Sequence, residues 1–302
     1  MKQQPYKYQF YVMTALALLL IYMVGTMRTQ PMSSVIAKEK FWADKVHAKT
    51  KYNVIVAGDS RVYRGVASKV ISDELAGLKV LNFGFSSGGL NNEIYNEIEG
   101  RLANEGQKII VLGITPYSLT PKAQLNEHFL QEKQRDKKEI FRRRFISPVI
   151  HFFDPISPTE IIHSKDKKKG YYERFNRDGW VASLKYPADS NAALKSYRKN
   201  FKGNKVSAEV VQELYKRVAR WKREGFSIFA FRLPTTEGML LLENDISGFD
   251  ELELKNQLTT SGATWIEIEN KHSYSSYDGS HLEEASAVKF SRYLGQELRK
   301  NL

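Results

Sequence analysis

The amino-acid sequence predicts an α/β domain with a mainly parallel five-stranded sheet, preceded by one N-terminal transmembrane helix. Two patterns lead to this prediction. Short β-branched runs alternate with helical patterns, as is typical of parallel βαβ units. One uncharged segment, residues 10–27, has about the length that crosses a hydrocarbon core. The 302 residues suffice for a buried core, and the lack of cysteine excludes disulfides and thiolate chemistry.

The uncharged segment at residues 10–27 reads FYVMTALALLLIYMVGTM. We interpret it as an uncleaved anchor, because Gly25-Thr26-Met27 matches a signal-peptide cleavage site poorly. A cleaved signal and a buried soluble helix are the alternatives. The predicted organisation is an anchor at 1–28, a stalk at 29–50 and the α/β domain at 51–302. The predicted location is the cell membrane, single-pass, with the domain in the periplasm or outside the cell.

Five short apolar runs predict the strands, and apolar residues at helical spacing predict the helices between them. The predicted strands are residues 53–57, 79–83, 108–113, 227–231 and 264–268. The third run is apolar throughout, which favours burial on both faces of the sheet. Helical spacing recurs in residues 90–102, 211–221 and 287–298.

An insertion interrupts this alternation at about residues 117–206. It carries about 20 Lys and Arg against about 10 Asp and Glu, most of the chain's net charge of +12. Such an excess suggests a polyanionic partner, although a solvated surface is the simpler interpretation. We expect the insertion to lie beside the carboxyl ends of the strands, where open α/β sheets bind ligands.

Two short motifs carry residues suited to nucleophilic catalysis. Gly58-Asp59-Ser60 directly follows the first predicted strand, so Ser60 begins the next helix, where backbone N–H groups favour an anion. Asp278-Gly279-Ser280-His281 precedes the last helix. A serine nucleophile needs a base, and the base needs an orienting carboxylate. Separately, the first motif also fits a helix cap and the second a surface loop.

Together the motifs resemble the SGNH (GDSL) hydrolase superfamily, over residues 53–116 and 207–300. Gly58-Asp59-Ser60 is similar to block I of that family, and Asp278 with His281 to block V. Residues 81–89 (LNFGFSSGG) resemble block II, and residues 111–116 (VLGITP) resemble block III. The resemblance implies a flavodoxin-like three-layer α/β/α sandwich, the SGNH hydrolase fold, with a catalytic triad of Ser60, His281 and Asp278.

The resemblance also implies an oxyanion hole made by Ser60, Gly88 and Thr115. Gly88 is the best match to the block II glycine, with Gly84 and Ser87 as alternatives. Thr115 stands where the family has an asparagine. A threonine hydroxyl donates one hydrogen bond, with a shorter reach than an amide. This departure favours a transferase, or a domain of reduced activity, over a free esterase.

The resemblance implies a serine ester hydrolase or O-acyltransferase, most simply an O-acetyltransferase, acting on a cell-surface polysaccharide or another envelope ester. The chain resembles alginate acetyltransferases and teichoic acid D-alanylation proteins, and this resemblance implies a multispanning membrane acyltransferase as a possible partner. The alternative is a catalytically weak module that binds an anionic polymer. Arg61 and Arg232 are candidate substrate-binding residues. We expect no cofactor, no metal site and no nucleic-acid partner.

Overall fold

The computed structural model describes residues 4–26, 34–149, 170–269 and 271–302. The strands are β1 (Val54–Gly58), β2 (Val80–Gly84), β3 (Ile109–Ile114), β4 (Gly170–Phe175), β5 (Val181–Tyr186), β6 (Ser227–Arg232) and β7 (Thr264–Trp265). The α-helices are α1 (Gln4–Thr26), α2 (Lys38–His47), α3 (Ser60–Gly65), α4 (Ser68–Glu74), α5 (Asn92–Arg101), α6 (Glu127–Lys133), α7 (Lys137–Phe141), α8 (Leu194–Phe201), α9 (Ala208–Arg223), α10 (Glu237–Ile246), α11 (Glu251–Thr260) and α12 (Glu284–Lys300). Short 3₁₀ turns lie at Tyr117–Leu119, Ala123–Leu125 and Lys271–Ser273, and a π-helical turn lies at Arg142–Ile146.

Helix α1 contains most of the segment that the sequence analysis interpreted as an anchor, residues 10–27. It begins earlier, at Gln4, and so includes Lys7 and Gln9. Within the described ranges, no helix combines the length and the apolar character needed to cross a membrane. The prediction of a transmembrane helix is therefore not supported.

Part of the predicted stalk, residues 29–50, packs on the domain. Residues 29–33 lie outside the described ranges. Helix α2 follows, and its Phe41 and Val46 are buried in apolar clusters shared with residues of the domain. This helix belongs to the folded unit because its apolar side chains are removed from water there.

The central sheet has five strands in the order β2-β1-β3-β6-β7, and each pair within it is parallel. Counted within the sheet alone, this order is 2-1-3-4-5, one of the doubly wound arrangements. The parallel five-stranded α/β sandwich that the sequence predicts is confirmed. The last strand is shorter than predicted, Thr264–Trp265 rather than residues 264–268. It lies at the edge of the sheet and pairs only with β6.

The strands are buried on both faces because alternate side chains enter two different cores. In β1, Ile55 and Ala57 face the first core, which also contains residues of α5, α9 and α11. Val54 and Val56 face the second, which contains residues of α3, α4 and α12. Helices thus cover both faces of the sheet, and its carboxyl edge is left to the loops that hold the candidate site.

The insertion at about residues 117–206 contains an antiparallel hairpin, β4–β5, which the sequence analysis did not predict. The turn of this hairpin lies along the outer edge of β2, where the Asn82 N–H donates to the Asp178 carbonyl at 2.9 Å. The basic run at residues 134–144 begins after α6, includes α7 and ends in the π-helical turn. The second basic run, residues 165–169, lies outside the described residues.

Candidate active site

Ser60 lies at the carboxyl end of β1, at the first position of α3. Asp59 caps this helix, and its carboxylate accepts the Arg61 N–H at 2.9 Å. Gly58 lets the end of β1 lie close to β3, because a Cβ at this position would be only 2.5 Å from the Gly113 carbonyl oxygen of β3. The backbone N–H of the first residue of a helix has no intrahelical partner, so the N–H of Ser60 is available to an anion.

The structure brings Ser60, His281 and Asp278 together, although 221 residues separate the first two. The Ser60 Oγ and the His281 Nε2 are 2.9 Å apart. The His281 Nδ1 lies 2.8 Å from the Asp278 Oδ2. Both distances lie within the range expected for a serine nucleophile, its base and the group that orients the base. The two sequence motifs therefore lie together in one place, and the catalytic roles of their three residues stay a prediction.

The tight turn at residues 278–281 fixes His281 and Asp278 to each other. The second carboxylate oxygen of Asp278 accepts the backbone N–H groups of Ser280 and His281, both at 2.8 Å. Gly279 has a φ of 95°, in the left-handed region that favours glycine. The Ser276 hydroxyl donates to the His281 carbonyl at 2.7 Å and accepts the Gly279 N–H at 2.8 Å. The imidazole therefore sits on a turn that is held by several hydrogen bonds.

The insertion braces this turn from outside. The Ala193 N–H donates to the Asp278 carbonyl at 2.9 Å, and the Asp189 N–H donates to the Tyr277 carbonyl at 3.0 Å. The Tyr277 ring is stacked on the His281 ring at 5.8 Å, with an angle of 13° between the planes. Sequence reasoning missed these contacts, because the backbone of residues 189–193 carries no motif that identifies its partner.

Electrostatics favour a neutral imidazole beside an ionised carboxylate. Burial lowers the pKa of His281, although the hydrogen bond and charge of Asp278 oppose this effect. Burial by itself would raise the pKa of Asp278, but the hydrogen bond and charge of His281 lower it to about 2. A neutral imidazole can accept a proton from a serine hydroxyl, while the carboxylate fixes its tautomer.

Thr115, predicted to donate to an oxyanion, has its hydroxyl engaged elsewhere. Its Oγ1 donates to the Asp59 Oδ2 at 2.6 Å, and it accepts the Ser118 N–H at 3.2 Å. A hydroxyl has one proton to donate, so this geometry leaves none for an oxyanion. The prediction does not fit the structure because the buried Asp59 carboxylate takes the proton. Burial also raises the pKa of Asp59.

In the turn after β2, the backbone N–H that the sequence analysis preferred as a donor, that of Gly88, is already bonded. The Gly88 N–H donates to the Phe85 carbonyl at 3.1 Å, which closes the turn. Ser87 has a φ of 53°, and its N–H makes no hydrogen bond within the part of the chain that is described. The turn lies against β1, because the Phe85 N–H donates to the Gly58 carbonyl at 3.1 Å. Ser87, an alternative in the sequence analysis, thus has the free donor in place of Gly88.

Arg61 and Arg232, predicted to bind substrate, are instead both buried and paired with Glu243. The guanidinium of Arg61 donates to both Glu243 oxygens, at 2.6 and 3.2 Å, and Arg232 donates to one of them at 3.1 Å. Their side chains are 1% and 2% exposed, so neither is open to a substrate. The Arg61 Nε also donates to the Ser280 hydroxyl at 2.9 Å, and Tyr197 of α8 contacts the same hydroxyl at 2.7 Å. Arg61 therefore links the serine helix to the histidine turn.

Among the described residues, no group of three or more His, Asp or Glu side chains is arranged to hold a metal ion. The polar groups that converge on Ser60 are those of a nucleophile and a base. Their arrangement can support proton transfer and attack on a carbonyl carbon.

Comparisons with known proteins add little to this geometry. No protein-family model matches the chain, and no curated protein matches its sequence. One similar solved structure is that of a protein from Streptococcus pneumonia described as a putative platelet activating factor. It is 12% identical, covers 93% of this chain and 96% of its own, and superposes with a TM-score of 0.33. Likeness at this level carries no argument about function, so the site itself must carry it.

Proposed function

We propose that this chain is a serine-dependent ester hydrolase or O-acyltransferase of the SGNH type, with Ser60 as nucleophile, His281 as base and Asp278 as the orienting carboxylate. The observation that carries the proposal is the continuous chain of contacts from the Ser60 Oγ to the His281 Nε2 and from the His281 Nδ1 to Asp278. The resemblance of the flanking motifs to that family supports the same roles.

The first half of the reaction forms an acyl-enzyme. The Ser60 oxygen attacks the carbonyl carbon of an ester, and its proton passes to the His281 Nε2. The tetrahedral intermediate carries a negative charge on the former carbonyl oxygen. It collapses with cleavage of the ester bond, and the departing alcohol takes the proton from His281. Asp278 stabilises the imidazolium while the charge is present.

The second half removes the acyl group. Water or a sugar hydroxyl attacks the acyl carbon and gives its proton to His281, which returns it to the Ser60 oxygen as the acyl–serine bond breaks. Attack by water makes the chain a hydrolase, and attack by a sugar hydroxyl makes it a transferase. The choice depends on the acceptor that can reach the acyl-enzyme.

We assign the oxyanion donors to the backbone N–H groups of Ser60 and Ser87. The first lies at the N-terminus of α3, and the second has no other partner among the described residues. Two preorganised donors are a common minimum for acyl transfer. The third donor that the family resemblance implies, at Thr115, is absent from this assignment because its hydroxyl is bonded to Asp59.

For the substrate, we propose an acetyl-sized ester on an envelope polysaccharide. The support is the motif resemblance, together with the basic insertion that contacts the histidine turn through Ala193 and Asp189. A membrane acyltransferase as partner, and a location outside the cytoplasm, stay predictions from the sequence.

The deciding experiment is hydrolysis of p-nitrophenyl acetate by the full-length chain and its variants. We expect Ser60→Ala and His281→Ala each to reduce kcat to the assay floor, since loss of such a residue typically costs about 10⁶-fold. Matched controls are Ser261→Ala at the end of α11 and His128→Ala on the exposed surface of α6. Full activity in either site variant, with the fold verified by circular dichroism, would exclude the proposed triad.

A second candidate is a catalytically weak module that binds an anionic polymer. The observation that favours it is that the predicted donors Thr115 and Gly88 are both bonded elsewhere. Loss of one oxyanion donor costs about 2.7–4 kcal/mol of transition-state stabilisation. No turnover in the parent protein, combined with polymer binding that survives Ser60→Ala, would favour this candidate. Turnover that depends on Ser60 excludes it.

A further inference from the structure

A polar cavity of about 210 Å³ lies between α2 and the turn of the β4–β5 hairpin. A single water needs roughly 10–15 Å³ of such space, so the cavity can hold a larger polar group. Its charged lining consists of Lys40, Asp44, Lys45, Arg144 and Arg177. None of these residues belongs to the Ser60 site. The cavity therefore needs its own explanation.

Lys45 is the most buried of the charged residues that line this cavity, with 4% of its surface exposed. Its ammonium donates to the Gly179 carbonyl at 2.9 Å and has no carboxylate within 4.0 Å among the described residues. Aromatic rings from α2, α3 and the β2 turn surround the ammonium at 5.0–5.6 Å: Phe41, Trp42, Tyr63 and Phe85. An ammonium has three donors, so this one has capacity left for a ligand.

The other charges of the cavity do not neutralise Lys45. Asp44 is the only acidic residue among the lining residues, and its two oxygens are each taken at 2.7 Å, one by Lys40 and one by Arg144. Arg177 is exposed and makes no ion pair with any residue of the described ranges. Four cationic side chains thus line the cavity against one carboxylate. The surplus positive charge favours an anion there.

The buried ammonium is costly without such an anion. Burial lowers the pKa of Lys45 well below its usual range; the charge of Asp178 opposes this effect and that of Arg101 adds to it. The Asp178 carboxylate is itself bonded to the backbone N–H groups of Lys69 and Trp180, at 2.8 and 3.2 Å. A bound anion would provide a counter-charge in addition to that of Asp178, because a poorly compensated buried charge is strongly unfavourable.

We propose that this cavity is a binding site for a small oxyanion, a phosphate or carboxylate group, held by Lys45 and Arg177. A guanidinium binds such groups through two parallel hydrogen bonds, and an ammonium adds a point charge. The ring surfaces around Lys45 keep the ammonium in place. The site lies on the edge of the sheet beyond β2 and is separate from the catalytic chemistry proposed for Ser60.

The test is isothermal titration of the full-length chain with inorganic phosphate and, separately, with sodium acetate, at low ionic strength. We expect saturable binding at one site for at least one of the two anions, and the stronger of them identifies the preferred group. Arg177→Gln should weaken that binding by about tenfold, as expected for loss of a charge-assisted contact. Lys45→Met should abolish it.

Two controls make the result specific. Arg223→Gln removes an equally exposed arginine at the end of α9 and should leave the binding unchanged. Ser60→Ala should also bind normally, so failure of the catalytic proposal would not affect this one. Arg177 is exposed and makes no hydrogen bond or ion pair among the described residues, so its variant remains informative if Lys45→Met does not fold. Absence of saturable binding in the parent, or binding that both cavity variants retain, would overturn the proposal.

Discussion

The residues on the two sides of Ser60 differ in how firmly hydrogen bonds hold them. On one side, the turn from Ser276 to His281 is held by a closed set of hydrogen bonds that fix both the base and its carboxylate. On the other side, the turn after β2 contains an unbonded N–H at Ser87, and the Thr115 hydroxyl is bonded to Asp59. The residues proposed for proton transfer are thus held firmly in place. Few hydrogen-bond donors, by contrast, are available to stabilise the negative charge of the tetrahedral intermediate. We expect a nucleophile that forms readily but a high barrier to the tetrahedral intermediate.

The largest effect on turnover should come from changing Asp278, on the side of Ser60 that hydrogen bonds hold firmly. Asp278→Asn keeps the size of the side chain but can hold the imidazole in the wrong tautomer, for which the typical loss in kcat is about 10⁴-fold. Ester hydrolysis at saturating substrate measures this directly. The control is Asp189→Asn, which changes an exposed carboxylate on the bracing segment. A loss below tenfold in Asp278→Asn would show that the carboxylate does not orient the base.

A smaller effect should follow from pH. In the proposed mechanism His281 acts as a base only when it is neutral, and burial lowers its pKa in the folded protein. The rate should therefore stay constant as pH falls to the ordinary histidine range of about 6.5 and decline only at lower pH, by about tenfold per unit. A profile of kcat/KM between pH 4 and pH 8, which reports the pKa of the free protein, measures this behaviour, with the fold monitored at each point. A decline that begins above pH 7 would contradict a lowered pKa.

The same site affects stability at acid pH, which must be separated from the effect on the rate. The folded-state pKa of Asp278 is about 2, below its value in the unfolded chain, so its stabilisation is present above about pH 4 and is lost as pH falls towards 2. Rates measured below pH 4 would therefore mix unfolding with protonation of the base.

The smallest effect on turnover should come from changing Thr115, on the side of Ser60 that has few free hydrogen-bond donors. Thr115→Val removes the hydroxyl at constant shape and leaves the buried Asp59 oxygen without its donor, so we expect a loss of about 1–3 kcal/mol in the free energy of unfolding. The kcat of the folded variant should fall by less than tenfold. Urea denaturation and initial rates measure the two quantities. A loss of kcat of about 10²–10³-fold would instead identify Thr115 as an oxyanion donor.

The parts of the molecule that the sequence revealed are those with local signals. The strands show β-branched runs. Ser60 and His281 each belong to a short motif at a predictable position of the fold. Arg61 illustrates what the sequence could not reveal. Its neighbour Ser60 suggested a role in substrate binding, but its partner Glu243 is 182 residues away. A long-range ion pair leaves no periodicity and no spacing to detect.

Thr115 illustrates a second limit. Its position in the motif was identified from the sequence, but the direction of its hydroxyl was not. That direction depends on the nearby Asp59 carboxylate, which is buried and accepts the proton at 2.6 Å. A hydroxyl rotates towards the strongest acceptor within reach, and only the three-dimensional arrangement identifies that acceptor.

The contact between the hairpin turn and β2 has a consequence for the behaviour of the chain in solution. An edge strand with open N–H and C=O groups is a template for pairing with another chain, which leads to aggregation. Here the Asn82 N–H is bonded to Asp178, and Gly179 packs so closely on the Asn82 carbonyl that a side chain would not fit. The insertion thus covers the β2 edge of the sheet at Asn82. Shortening the insertion at this turn would expose an edge strand that can pair with another chain.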